Sequence, residues 1–212
     1  MAKKFRWQCV TLKGPGLSRP RLEMVLEGSD RELVAGCRRG DRDAFRVLFE
    51  SYKDRVFSIA LRFSGDPVAA MDIAQDTFVK LFSRIRDFRG ESSFDTWMYR
   101  MVVNSCMDHR RRSWRLLPLA GEVADSLCES SDCLADLMRS EMGARVHSAV
   151  ERLSPDLRIV VVLRYTEGLA YEEIAEVLGC APGTVASRLN RAHKTLERRL
   201  SHLIKQKGDR NV

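Results

Sequence analysis

The side chains in this sequence best suited to chemistry are bases and acids sorted onto separate helix faces. The chemistry they suit is recognition of a charged polymer, not the making of bonds. Thr184, Ser187, Arg188, Arg191, Thr195 and Arg198 recur at three- and four-residue steps and share one face of a helix. Guanidinium forks and hydroxyls of this kind contact base edges and phosphates when a helix enters the major groove of DNA. A second basic set is Arg100, Asn104, Met107 and Arg111 at helical spacing, closed by the run Arg110-Arg111-Arg112 and preceded by a loop offering Phe88 and Arg89 beside Gly90. Aromatic rings stack on unpaired bases while cations follow phosphates, so this set suits single-stranded DNA, although part of the run also answers a helix dipole. A third set has the opposite sign. Asp72, Gln75, Asp76 and Val79 lie together opposite an apolar stripe, a surface fit either for a basic partner or for solvent.

Other chemistries find little support. The six cysteines, Cys9, Cys37, Cys106, Cys128, Cys133 and Cys180, contain no CxxC pair, and the spacing of Cys128 and Cys133 suits no standard zinc site. Neither a nucleophile motif nor a phosphate loop is present, so no catalytic residue, metal or cofactor is expected, and the reading is of a protein that is not an enzyme. Lys and Arg outnumber Asp and Glu by 36 to 29, a net charge of +7 with a pI near 9.3, which favours a polyanionic partner without proving one. The apolar run at residues 159–163 is far too short to span a bilayer, and the basic amino terminus breaks at Gly14, Pro15 and Gly16 without an apolar stretch. A soluble, cytoplasmic protein with no direct membrane insertion is expected.

The elements that must position these sets are helices. Residues 1–29 read as a basic flexible tail, broken by proline and glycine. From residue 30 to 112 the pattern is helical almost throughout, with Leu33, Phe45, Leu48, Phe49, Val56, Ile59, Ala60 and Phe63 in a core-facing stripe. Asp66-Pro67 opens a helix by cap-then-proline logic, with Met71, Ala74, Phe78, Leu81, Phe82 and Ile85 as its apolar side. Ser92 with Asp95 fits a capping box for the next helix, which runs from Phe94 to about Arg112 and buries Phe94, Trp97, Met98 and Met101. Residues 113–146 form an acidic linker, helical only toward its end.

Helical periodicity resumes over residues 147–204, a smaller and more basic domain, followed by a basic tail at 205–212. Ser154, Pro155 and Asp156 mark a helix start, and the β-branched run at 159–163 is assigned to that helix because no partner strand exists. A short helix over 171–178, an interruption from Gly179 to Gly183 and a long helix from Thr184 to about Leu203 make a helix-turn-helix, with Val185, Leu189, Ala192, Leu196, Leu200 and Leu203 packing inward. The fold class is all-α: two small helical domains joined by a flexible acidic linker.

Taken in order, the motifs resemble a known family. Asp72-Ile73-Ala74-Gln75-Asp76-Thr77-Phe78, then Phe88-Arg89-Gly90, Phe94-Asp95-Thr96-Trp97-Met98-Tyr99-Arg100, Asn104 and Asp108-His109-Arg110-Arg111 resemble region 2 of bacterial RNA polymerase sigma factors. Leu153-Ser154-Pro155, Tyr171-Glu172-Glu173-Ile174-Ala175, Gly183-Thr184-Val185, Ser187-Arg188-Leu189 and Arg191-Ala192 resemble sigma region 4. With only a short acidic linker between them, the pair is similar to the extracytoplasmic-function group.

The resemblance implies roles that spacing alone does not supply. Asp72, Gln75, Asp76 and Val79 become the face that docks on core RNA polymerase. Phe88, Arg89, Arg100, Asn104, Met107, Arg110 and Arg111 become the elements that capture unpaired bases of the minus-ten promoter element, and Thr184, Ser187, Arg188 and Arg191 become the minus-thirty-five reader. It further implies that the linker threads the polymerase RNA path, that promoter DNA and an anti-sigma factor are partners, and that a stress signal governs activity. Two positions depart from the family: Met71 stands where Glu is frequent and Ala186 where Arg or Lys is, which puts one docking and one DNA contact in question. A free-standing helix-turn-helix regulator, dimeric on duplex DNA, is the nearest rival and leaves the first domain unexplained.

Overall fold

The computed structural model describes residues 29–116 and 141–208. Among these the chain is helical with no strand. In order, α1 (Ser29–Arg39), α2 (Arg42–Ser64), α3 (Pro67–Arg84), a single 3-10 turn (Ile85–Asp87) and α4 (Phe94–Leu116) form the first half. The second half comprises α5 (Glu141–Glu151), α6 (Pro155–Tyr165), α7 (Tyr171–Leu178) and α8 (Pro182–Gly208). The expected tail and most of the acidic linker lie outside the described residues.

Local chemistry sets the helix ends. Asp41 caps α2 by accepting from the Asp43 and Ala44 amides at 2.9 and 3.3 Å, and Asp66 caps α3 by accepting from Val68 and Ala69 at 3.1 Å each. Gly65 ends α2 in the left-handed region at φ +78°, where its amide bonds Leu61 and any Cβ would strike Glu151 of α5 at 2.0 Å. Before α4 the cap is Ser93, not the expected Ser92: its hydroxyl accepts from the Thr96 amide at 3.1 Å. Asp95 points away from that cap and instead accepts from Tyr52 at 2.5 Å and Arg55 at 3.3 Å.

Core stripes follow the 3.6-residue period. Leu48, Tyr52, Val56, Ile59, Ala60 and Phe63 of α2 pack on Ala70, Ile73, Ala74, Thr77 and Leu81 of α3. The expected apolar side of α3 needs correction, because Met71 is 42% and Phe82 62% exposed. The buried stripe runs one position to the side, and Phe82 instead leans on Phe45 with ring centroids 4.4 Å apart. Buried Thr77 is tolerated in the stripe because its hydroxyl donates to the Ile73 carbonyl at 2.7 Å.

The second half closes around Ile159, Val160, Leu163, Ile174, Val185, Leu189 and Ala192, all buried. Residues 159–163 are helical, as the missing partner strand required. Gly179 turns the chain at φ +62°, and α8 begins at Pro182, two residues before the expected Thr184, because proline sits readily at the first helical position. At their far ends the helices outrun expectation: α4 continues to Leu116 and α8 to Gly208. The two halves touch: α4 packs on α7 and α2 on α6, so the buried side chains form one continuous cluster.

Candidate nucleic-acid and protein-docking interfaces

Helix α8 presents its basic face by burying the opposite one. With Val185, Leu189 and Ala192 essentially inaccessible, the helical period turns Ser187 and Arg191 outward, while Arg188 and, at the amino-terminal end, Thr184 are half-buried. Every bond these groups make stays within α8. Ser187 Oγ donates to the Thr184 carbonyl at 2.9 Å, Arg191 Nε to the Ser187 carbonyl at 3.4 Å, and Thr195 Oγ1 to the Arg191 carbonyl at 2.9 Å. None is clamped by another element. Such a face meets an external ligand with little rearrangement, as a recognition helix must.

The acidic face of α3 is equally open but partly self-paired. Asp72, Gln75 and Val79 are exposed, Val79 to 62%. Asp76 Oδ2 accepts from Arg112 at 2.7 Å, an ion pair to the last turns of α4. Asp72, Gln75 and Asp76 line a shallow concavity with His109, Arg112 and Ser113. Beside it Lys80 bridges α3 to α4, donating to Asp108 at 2.9 Å and to buried Ser105 at 3.3 Å. The hydrogen bond from Lys80, helped by Arg111 and Arg112, holds the Asp108 carboxyl below its ordinary range.

The second basic set is more entangled. Phe88 is half-buried, its ring 5.5 Å from Phe94 and 5.3 Å from Trp97 in edge-on and tilted contacts, so it is held by the core rather than free to swing. Arg89, Asn104, Arg110 and Arg111 are exposed and Met107 is half-buried. Arg111 reaches back to Asp108 at 3.7 Å. Arg100 leaves the set altogether: its Nε donates to the Glu176 carbonyl of α7 at 3.1 Å, and its terminal nitrogen lies 3.7 Å from the Glu176 carboxylate. The structure therefore brings Phe88, Asn104, Met107, Arg110 and Arg111 onto the loop and outer face around α4, and ties Arg100 to the other half.

Sequence reasoning missed the groups that join the halves. Glu167, in the turn between α6 and α7, has a side chain only 4% exposed and accepts from Tyr99 at 3.2 Å, with Arg55 at 3.8 Å. Burial, then the Glu167 charge, pushes the Tyr99 phenol well above its usual range. Arg158 of α6 is 8% exposed and donates to the carbonyls of Phe63 at 2.5 Å and Leu153 at 3.2 Å. Burial, and then the neighbouring Arg110 charge, lowers its pKa to about 10. No local pattern marks these residues. A lone arginine before an apolar run is the one available hint.

Among the described residues no group of His, Cys, Asp and Glu could hold a metal ion, and no helix is long and apolar enough to cross a membrane. Comparison with known proteins gives matches to two families in order along the chain. Residues 48–116 match Sigma-70 region 2 and residues 143–196 match Sigma-70, region 4. The chain is 34% identical over 192 residues to the RNA polymerase sigma-H factor of Pseudomonas aeruginosa, covering 86% of this chain and all of that one. It is 33% identical over 189 residues to the ECF RNA polymerase sigma-E factor of Escherichia coli K12, covering 84% and 97%. Among solved structures, CnrH in complex with the cytosolic domain of CnrY superposes with a TM-score of 0.60 at 28% identity, over 82% of this chain and 97% of that one. The sigma factor RpoE of Bartonella quintana, in complex with the anti-sigma factor NepR, shares the fold at TM-score 0.56 and 23% identity, over 74% and 96%.

Proposed function

The chain belongs to the extracytoplasmic-function group of the sigma-70 family, and from that premise we propose how its faces divide the work. As a sigma factor it binds core RNA polymerase and directs initiation at specific promoters. In our reading the α3 face, Asp72, Gln75, Asp76 and Val79, docks on the polymerase, with carboxylates meeting a basic partner and Val79 supplying apolar area. The α8 face, Thr184, Ser187, Arg188 and Arg191, reads the minus-thirty-five duplex. Phe88, Arg89, Arg100, Asn104, Met107, Arg110 and Arg111 capture the unpaired minus-ten strand. Residues 30–112 and 147–204 are the working domains of this scheme.

The protein makes and breaks no bonds in this scheme; catalysis belongs to the core enzyme, and the work is done in the cytoplasm where that enzyme acts. An anti-sigma factor is the expected regulator. The observation that carries the reading is the pairing of two sigma regions in order with a relative matched over its whole length. The α8 face, bonded only to itself, supports it.

Reconstitution tests it: purified chain with core polymerase is expected to yield promoter-specific transcript, and Arg188→Ala with Arg191→Ala to lose it selectively at the cognate minus-thirty-five sequence. Undiminished transcript from the double variant across a salt titration would place the reading face elsewhere.

A further inference from the structure

Resting on the assignment of α8 to the minus-thirty-five duplex, we infer that Asn190, outside the set named so far, is a specificity-determining residue that reads an adenine in the major groove. The direction in which α8 faces out is fixed by what it buries. Val185, Leu189 and Ala192 are at most 1% exposed. At about 100° per residue, the direction opposite their mean passes close to Ser187, with Asn190 and Arg191 roughly 50° to either side. Thr184 and Arg188 stand further round, by about 70° and 110°, which matches their half-burial. Asn190 is exposed and as central to the open face as Arg191.

The chemistry at that position is unspent. Ser187 Oγ and Arg191 Nε already donate to carbonyls of α8, whereas the carboxamide of Asn190 bonds nothing among the described residues. A carboxamide holds an acceptor beside a donor. The major-groove edge of adenine holds the complement, the N6 donor beside the N7 acceptor, so the two pair bidentately. Guanine offers only acceptors there, and cytosine and thymine one hydrogen-bonding group each, so none satisfies both ends of Asn190.

Ala186 keeps that contact clear. It is exposed and lies four residues before Asn190, one turn nearer the amino-terminal end on the same side of the helix. A long cation here would sweep the space above the carboxamide and carry its own donors toward guanine. With alanine in its place, the carboxamide reaches the base edge unopposed. The departure at Ala186 thus changes which base is preferred. Lys194, one turn beyond Asn190 and also exposed, is a point charge suited to phosphate and serves as the control.

The test uses the full chain with core polymerase on a promoter library randomised across the minus-thirty-five element, with transcripts counted by sequencing. The wild type should prefer adenine at one position by about tenfold. Asn190→Ala, which places a good helix former at an exposed site and so keeps the fold, should flatten the preference at that position and no other. Asn190→Asp should lose adenine there and gain cytosine, whose N4 amine donates to a carboxylate. Lys194→Ala should lower transcript evenly across the library and reduce the salt slope, with the adenine preference intact. If Asn190→Ala leaves every base preference as in the wild type, or only lowers transcript evenly, Asn190 does not read a base and the inference fails. A wild type that yields no transcript from any library member would overturn the sigma reading itself, and the inference with it.

Discussion

On α8 the bonded side chains of the proposed reading face, Ser187 and Arg191, bond only to their own helix, whereas two of those around α4 are woven into the rest of the protein: Phe88 into an aromatic cluster and Arg100 across to α7. The contrast follows from what each face is proposed to read. A duplex presents its code in the major groove without being disassembled, so a self-contained, pre-formed face suffices. Unpaired bases must be held after unstacking, at a cost of a few kcal/mol per base, so their receptor gains from rings and cations already fixed by packing. Stability and function are therefore separable on α8 and coupled around α4.

The largest expected effect falls on neither DNA face. Asp72→Arg with Asp76→Arg replaces attraction by repulsion on the exposed α3 surface and should abolish co-elution with core polymerase in gel filtration, while circular dichroism stays unchanged. Reversal at Asp76 also breaks its pair with Arg112, which at 40% and 56% side-chain exposure contributes little to stability. Unimpaired co-elution would remove the docking face from α3.

Next is Phe88→Ala, which should weaken both strand capture and the fold. A fully buried phenylalanine truncation costs about 3–5 kcal/mol; half-burial reduces this to roughly 2 kcal/mol, visible as a lower Tm. Against it, Arg188→Ala should leave Tm unchanged and weaken minus-thirty-five binding by about 1–3 kcal/mol if it contacts a base, or reduce the salt slope if it contacts phosphate. If both variants lost stability alike, or neither did, the separation between the two faces would be wrong. Smallest of all, Cys106, whose thiol burial pushes up to about 12, should resist iodoacetamide at pH 8 while half-buried Cys180 reacts, read by peptide mass.

Periodicity carried far in this chain because its helices bury one stripe each. The cap at Asp66, the bounds of α7, the turn at Gly179 and the inward stripe of α8 as far as Ala192 were all legible, since each depends on neighbours within a turn or two; Leu196 and Leu200 are half-buried, and the side chain of Leu203 lies outside the described residues. Met71 and Phe82 were misplaced because apolar character does not oblige burial; a large apolar side chain on the surface is ordinary. Ser92 and Ser93 are chemically equivalent as caps, and only the backbone path selects Ser93. The contacts that join the two halves were illegible for a stronger reason. Arg158 bonds carbonyls, one of them 95 residues away, and a backbone carbonyl leaves no trace in residue type.

The central claim is that this chain opens a promoter only together with core polymerase, and permanganate reactivity of thymines near the start site measures that directly. The chain alone should give weak duplex binding and no reactive thymines. With core polymerase the thymines should become reactive, and Phe88→Ala or Asn104→Ala should reduce that reactivity while sparing core binding. A tight dimeric footprint by the chain alone, with neither opening nor transcript when core polymerase is added, would contradict the account.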